Sequence, residues 1–430
     1  MRVIRMLDLV QTIKATVSLP VKDTVPRLAG EMNKLHPVYG FRVDLSVSDP
    51  SQAVTYLCDA VGKTPAAMGA SKFFYGSWKN AFFMPRPCML RSDGTVDYYL
   101  DPDDYSKKTD GTASDVADSS YDGNAMMEWP LIWYKFASDA SGSAGYFYCS
   151  DRQIDDSYKC WCNRDAGNNI IPHFYTAIYN GSGTSKLRSL SGVRLIPDNG
   201  SGNLTAAQDV SNAAANGSGW YVETLADRLL INALLILMSK TLNTKAAFGI
   251  GIAAEDADET VSNKSNYYTG SADDKGLFWG DVSGHYSPVK VFGMENWWGC
   301  AFRRMAGLLY KSGSFYVKLT GGTADGSTVN GYSFSDVSGY IRLTASTPSA
   351  PGYIKKMSFS QYGFFPSEVG GSNNTYWCDW LALWSTNDVF CTLSAGQSLA
   401  RLGAFENDFT QPNSTSVGIT SNLSCKPPIA

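Results

Sequence analysis

The chain has few of the residues on which most catalytic sites depend. Its 430 residues include three histidines, at positions 36, 173 and 285, and none of them falls in a recognisable nucleophile–base pattern. Charged residues make up only 18% of the chain and the formal net charge is -4, so nothing indicates a basic nucleic-acid-binding surface. These absences predict a protein that is not an enzyme and has no cofactor and no nucleic-acid partner.

Long apolar runs are also missing. Charged residues interrupt the first twenty positions, at Arg2, Arg5, Asp8 and Lys14, so no signal-peptide core is present. The longest apolar run, residues 229–238, contains Asn232 and is too short to span a bilayer. We therefore expect neither a secretory signal nor membrane insertion.

The cysteines do not form a disulfide framework. There are nine of them, an odd number without regular spacing, and Cys160-Trp161-Cys162 is too tight for a CxxC redox or zinc motif. We expect mostly free, buried thiols, a protein assembled in a reducing cytoplasm, and no metal site.

Glycine and aromatic residues are abundant instead. The chain has 40 Gly, 24 Tyr and 11 Trp, with Ser and Asn dense between them, which is typical of loop-rich, β-containing extracellular or virion proteins. A particle that leaves its host by lysis can carry such a protein outside the cell without a signal peptide.

The length predicts two or three domains. Residues 1–38 are an N-terminal attachment or oligomerisation segment or, equally, an edge element of the next domain. Residues 39–124 form a mainly-β module, in which two strands flank the turn Ser92-Asp93-Gly94. The polar loop 106–124 marks the boundary with a third region, 125–430.

The third region combines strands with two helices. A nearly continuous apolar strand over 126–136 and a partner over 146–149 predict a hairpin. One helix is predicted over 205–216 with Thr205 as its N-cap, and a stronger one over 221–242 with leucines at core spacing. The predicted fold class is therefore α+β.

The last part of the chain is polar with a few apolar anchors. Residues 384–422 place varied polar side chains between isolated apolar ones such as Leu399 and Phe405, which is the pattern of a displayed contact surface on a rigid scaffold. The candidate ligand-binding residues are Trp384, Asn387, Ser394, Gln397, Ser398, Arg401, Glu406, Asp408, Thr410, Asn413 and Thr415.

Several stretches, in order along the chain, resemble one family. They are YGFRVDL (39–45), AVTY (53–56), DAVG (59–62), YYLDP (98–102), EWP (128–130), SD (150–151), IDDSY (154–158), KLRSLSG (186–192) and GMENWWG (293–299). Together they resemble tail-fibre-like receptor-binding proteins of phages of gut bacteria, over about residues 39–430. The C-terminal domain of that family has the C-type lectin fold, in the branch shared with formylglycine-generating enzymes and phage tropism determinants.

The resemblance implies a receptor-binding protein at the tip of a phage tail in the virion. Its partners would be a bacterial cell-surface protein or glycan, other phage tail proteins and, as a homotrimer, two further copies of itself. In some members a diversity-generating retroelement varies the C-terminal surface, which here would fall within 384–422. This chain departs from the family pattern at Cys391, at Cys425 and in the ending Lys426-Pro427-Pro428.

Four local motifs have competing interpretations. Residues 293–299 predict a packed corner more than a ligand contact, and residues 186–189 a buried polar tie more than an anion site. Asp155-Asp156 predicts a solvated turn more than a metal ligand pair. Residues 387–391 and 411–413 resemble calcium-lectin motifs, but their order is reversed relative to those lectins, so we expect chance similarity.

Two other functions stay open at the level of sequence. A polysaccharide-cleaving enzyme needs two carboxylates across a cleft, and Glu295, Glu368, Asp379 and Glu406 are available. A purely structural tail component would use its polar C-terminus to contact a neighbouring subunit.

Overall fold

The structure is a computed structural model. It describes residues 36–194, 204–252, 268–284, 287–321, 331–383, 388, 390–394, 403–415 and 419–429, with the backbone alone for 390–394. The predicted N-terminal segment 1–38 lies outside these residues except for its last three.

Strands predominate in the described residues, and helices are few. The three helices are α1 (Ala206–Ala214), α2 (Leu225–Ser239) and α3 (Thr244–Phe248). The strands are β1 (Val38–Asp44), β2 (Val54–Cys58), β3 (Ala67–Met68), β4 (Phe73–Phe74), β5 (Arg86–Arg91), β6 (Val96–Asp101), β7 (Asp104–Lys108), β8 (Gly123–Trp129), β9 (Trp133–Ser138), β10 (Ala144–Ser150), β11 (Phe174–Ala177), β12 (Trp220–Val222), β13 (Lys290–Val291), β14 (Met294–Glu295), β15 (Phe302–Lys311), β16 (Ser314–Val317), β17 (Ile341–Arg342), β18 (Gly352–Ser360), β19 (Gly363–Val369), β20 (Trp380–Leu381), β21 (Phe390–Ser394), β22 (Asn407–Thr410), β23 (Ile419–Ser421) and β24 (Leu423–Cys425).

Three larger sheets organise these strands. The first has the order β2-β1-β10-β9 and the second β12-β24-β11-β8-β5-β6-β7. The third runs β17-β16-β15-β21-β22-β20-β18-β19, and β23 adds to β15 in parallel. The last strand of the chain, β24, therefore lies inside the second sheet, between β11 and β12.

The sheets cross the predicted domain boundary at residue 124. In the first sheet Phe41 is opposite Phe147, and in the second Cys88 is opposite Met126. Strands from 39–124 and from 125–430 thus share two hydrogen-bonded sheets, which corrects the division into two separate modules there. The polar loop 106–124 connects strands on the surface. Its polar composition reflects exposure to solvent and does not mark the end of a hydrophobic core.

The predicted hairpin forms, but from only half of the long apolar run. The run is two strands in different sheets, with Pro130 between them: β8 pairs with β5 and β11, and β9 pairs with β10. Proline cannot donate a ladder hydrogen bond, which explains why one run becomes two strands.

Both predicted helices are present. Thr205 caps α1, and its side chain and that of Gln208 form a reciprocal capping box. α2 begins four residues later than predicted, because residues 220–222 pair with β24 as strand β12 and Thr224 provides the cap. All fifteen residues of α2 are buried, as expected of a helix that is apolar on nearly every side.

The cysteine prediction agrees with the described positions. Seven of the eight described cysteines are buried, and Cys58 is exposed. Burial raises the pKa of thiols such as Cys88 and Cys149, which keeps them protonated and unreactive.

Candidate binding site

A short polar loop, residues 411–415, lies on the surface between β22 and β23. The side chains of Gln411, Asn413 and Thr415 are exposed, whereas Pro412 and Ser414 between them are half-buried. The loop borders a groove of about 440 Å³, and the described residues that line it are uncharged. Helix α1, residues 332–335 and the loop itself provide that lining: Thr205, Ala207, Val210, Tyr332, Ser333, Phe334, Ser335, Pro412 and Asn413.

A buried arginine holds the loop in place. Arg304, on β15, is 1% exposed and forms an ion pair with the carboxylate of Asp209 in α1. Its Nη2 donates to the carbonyl oxygens of Leu204 at 2.7 Å and Ser414 at 2.8 Å. The amide of Ala206 donates to Pro412 O at 2.9 Å. One guanidinium thus fixes both the start of α1 and the backbone of the exposed loop.

The turn that precedes β22 is fixed equally firmly. Asp379 is fully buried and accepts from the Phe405 amide at 2.9 Å, and Asn232 Nδ2 donates to Ala404 O at 2.6 Å. A Cβ atom at Gly403 would lie 2.0 Å from the Asp379 carboxylate, so only glycine fits. Burial raises the pKa of Asp379 to about 7, against the opposing effect of Lys245, whose Nζ lies 3.5 Å away.

Residues 421–426, close to the end of the chain, are buried in the core. Lys426 is 1% exposed, and its Nζ lies 2.8 Å from Asp227 Oδ1 near the start of α2. Ser424 Oγ donates to the same carboxylate at 2.8 Å. Residues 426–428 therefore begin with a buried ion-pair partner.

The predicted site residues differ in their exposure, and some of them lie outside the described part of the chain. Asn413 and Thr415 are exposed in the loop, and Asp408 and Thr410 are half-buried on β22. Ser394 lies on β21, and its side chain is not described. Five others lie outside the described residues: Trp384, Asn387, Gln397, Ser398 and Arg401.

Two parts of the predicted surface are interior. Glu406 is 4% exposed, in the turn held by Asp379, so its expected place on a display surface is wrong. Thr420, Ser421 and Asn422 are also buried. Their polar groups are satisfied internally; Thr420 donates to Gly181 O and Ser421 to Asp209 Oδ2. Small polar residues with internal partners look like loop residues in sequence, which explains the error.

The residues that build the site were missed. No sequence motif points to Asp209 or Arg304, and Lys426 stands out only as part of the ending Lys426-Pro427-Pro428, although Arg303 and Arg304 stand inside an otherwise apolar strand. A charged pair in such a run indicates buried partners, since an unpaired charge in a core is too costly. Burial and the neighbouring Arg228 lower the pKa of Arg303 to about 9, although Glu223 opposes this effect.

Three local motifs have structural roles. In residues 293–299, Trp297 Nε1 donates to Asn232 Oδ1 at 2.9 Å, and Glu295 accepts from the amide of Gly270, which confirms a packed corner. Arg188 donates to Tyr121 O and Gly123 O at 2.8 Å and so forms the predicted polar tie, but its side chain is half-buried and not fully buried. Asp155 lies in an exposed turn, also as predicted, and accepts from the amide of Ser157.

The four carboxylates considered for an enzyme have different surroundings. Glu295 and Asp379 are buried and hold backbone amides, and Glu406 is buried in the turn before β22. Glu368 is exposed and pairs with Lys355 at 2.6 Å. Among the described residues, no group of three or more His, Cys, Asp or Glu side chains is placed to hold a metal ion.

Comparison with known proteins adds no relative. No protein-family model matches the chain, and no curated protein matches its sequence. Within the described part of the chain, no helix is long and apolar enough to cross a membrane.

Proposed function

We propose that this protein is a receptor-binding protein of a phage tail tip that recognises a bacterial surface protein or glycan without catalysing a reaction. The contact surface is loop 411–415 and the groove beside it. The observation that carries the proposal is the contrast within this loop: its alternate side chains are exposed, while Arg304 holds its backbone from inside.

The combination of exposed side chains and a fixed backbone favours a binding role for this loop over a purely structural one. A preorganised loop loses little conformational entropy when it meets a ligand, so more of the contact energy remains as affinity. Asn413 and Thr415 offer adaptable hydrogen bonds, and the groove offers apolar surface with a few hydroxyl groups. These are the properties of a recognition surface for a neutral, polar partner.

The finer fold assignment, a C-type lectin fold of the formylglycine-generating-enzyme branch, is part of the proposal. Three helices precede the long strands of the third sheet, and β24 pairs with β11 and β12, which come before those strands in the chain. The strands that flank the 384–422 segment, β20 and β24, both lie in sheets. This arrangement supports a body that presents loop 411–415.

A homotrimer at the tail tip would strengthen weak single contacts. Three identical loops on one particle convert a modest affinity into tight adsorption through effective concentration. Diversification by a retroelement would act on the exposed positions, of which Asn413 and Thr415 are in the described part of the chain.

The test is adsorption of the purified full chain to intact cells of the host bacterium. The Asn413→Ala/Thr415→Ala variant removes two exposed side chains and leaves the Arg304 contacts intact. The matched control is Gln52→Ala/Thr55→Ala, at an exposed position of the turn before β2 and an exposed position of β2 itself. We expect the loop variant to lose at least 10-fold in bound fraction at limiting concentration and the control to bind as the unchanged protein does.

The competing functions give different results. Equal adsorption of both variants would refute the loop as the contact surface. Release of reducing sugar from host polysaccharide would favour an enzyme, and adsorption by particles that lack residues 384–422 would favour a structural role.

A further inference from the structure

A second groove, separate from loop 411–415, lies between the two edge strands of the third sheet. It has a volume of about 470 Å³, within the range of roughly 300–1,000 Å³ that is usual for small-molecule sites. The lining comes from β16, β17 and the loop after it on one side, and from the β18–β19 hairpin on the other.

Aromatic rings and hydroxyl groups lie side by side in the lining of the groove. Phe315 and Phe365 lie with their ring centroids 6.2 Å apart, and Tyr362 at the hairpin is half-buried. Ser358 is opposite Phe365 in the β18–β19 ladder, and Ser360 follows two residues later, so both serines share the face of Phe365. Apolar rings beside hydroxyl groups suit a ligand that has C–H groups on one face and hydroxyl groups along its edges.

Among the described residues that line this groove, Arg342 is the only charged one. The side chain is exposed, and its Nε and Nη2 donate to Ser314 Oγ at 3.1 and 3.0 Å. Ser314 is itself 6% exposed, so this contact fixes the plane of the guanidinium against a buried group. Neither bond uses Nη1, and among the described residues no carboxylate lies within ion-pair distance of Arg342.

A fixed guanidinium with an available edge is suited to a carboxylate. Nη1 and Nη2 can donate two parallel hydrogen bonds to its two oxygens, which a lysine ammonium cannot reproduce. None of the described lining residues is acidic, so none of them repels an anion.

We propose that this groove binds an acidic sugar unit, with its carboxylate on Arg342 and its ring against Tyr362 and Phe365. The choice of a sugar over another organic acid rests on the proposed function, because a tail-tip protein meets bacterial surface glycans. The site itself is independent of loop 411–415, and the two can fail separately.

The experiment measures binding of digalacturonate to the full chain by isothermal titration calorimetry in low salt. Its neutral counterpart, digalactose, and benzoate are titrated in parallel. We expect digalacturonate to bind at least 10-fold more tightly than either. Equal binding of digalactose would overturn the role of the charge, tighter binding of benzoate would overturn the sugar, and no binding at any concentration would overturn the site.

Variants at position 342 test whether the ligand needs the guanidinium group itself or only a positive charge. Arg342→Gln is expected to weaken digalacturonate binding at least 10-fold, and Arg342→Lys to recover only part of the loss. Tyr362→Ala tests the ring contact and is expected to weaken digalactose as well. Arg91→Gln, which changes an exposed arginine paired with Asp97 on another sheet, is the control and should change nothing. An unchanged affinity of Arg342→Gln would overturn the proposal, whatever Asn413→Ala/Thr415→Ala does to cell adsorption.

Discussion

Replacement of Arg304 by methionine should destabilise the fold and release the exposed loop. Methionine fills much of the same space but removes the ion pair with Asp209 and the donors to Leu204 O and Ser414 O. Loss of one partner from a buried pair leaves the other charge uncompensated and costs about 3–5 kcal/mol. We expect the free energy of unfolding from denaturant titration to fall by that amount.

The same variant makes a local prediction. Since Arg304 is the side chain that holds Ser414 O, hydrogen exchange of the amides in 411–415 should accelerate more than that of the first sheet. The double variant Arg304→Met/Asp209→Asn removes both charges and should recover part of the loss, because no carboxylate is then left unpaired. Arg91→Met, at an exposed pair, serves as the control and should leave stability unchanged.

A loss below about 1 kcal/mol would refute this reasoning. So would exchange in 411–415 that is no faster than in the unchanged protein.

Further predictions concern the anchors at either end of the polar segment. Lys426→Met should lower the free energy of unfolding by about 3–5 kcal/mol in denaturant titration, because it leaves the carboxylate of Asp227 charged and buried without its partner. A loss below about 1 kcal/mol would show that this ion pair is dispensable. Gly403→Ala should lower the melting temperature well beyond Gly370→Ala, which shares a positive φ but has no neighbour closer than 3.8 Å; equal losses would show that the contact with Asp379 does not matter. Burial raises the pKa of Asp379 in the folded chain to about 7, whereas an aspartate in the unfolded chain loses its proton near pH 4. Between these pH values the folded chain therefore binds one more proton than the unfolded chain. The free energy of unfolding should fall as the pH rises from about 4 to 7. Asp379→Asn should remove that slope from melting temperatures measured across this window, and an identical slope would assign it to another group.

Local features of the fold could be predicted from the sequence because they depend on neighbours in the chain. Thr205 and Gln208 form a capping box three residues apart, and the leucines of α2 follow helical spacing. The turn at Asp93-Gly94 needs only its own residues, and Gly94 has the positive φ of 83° that the turn requires.

Long-range pairing could not be predicted in the same way. The sheets bring Phe41 opposite Phe147 and Tyr175 opposite Cys425, and no local pattern specifies either pairing. The polar loop 106–124 therefore suggested a domain boundary that the shared sheets do not respect.

The candidate site was only partly predictable for a related reason. The sequence indicated a polar segment with apolar anchors, but exposure was assigned by residue type. Lys426 and Ser421 are polar and buried because Asp227 and Asp209, about 200 positions earlier in the chain, supply their partners. Polar residues become interior when such a partner folds against them, and a single sequence does not show that partner.

The most direct test of the central claim places a photo-crosslinking amino acid at position 413 of the full chain. The labelled protein is irradiated on intact host cells, with the same label at position 52 as the control. We predict a crosslink from 413, and none from 52, to a bacterial surface protein or glycan. Crosslinks from 413 only to other copies of this chain would contradict the account.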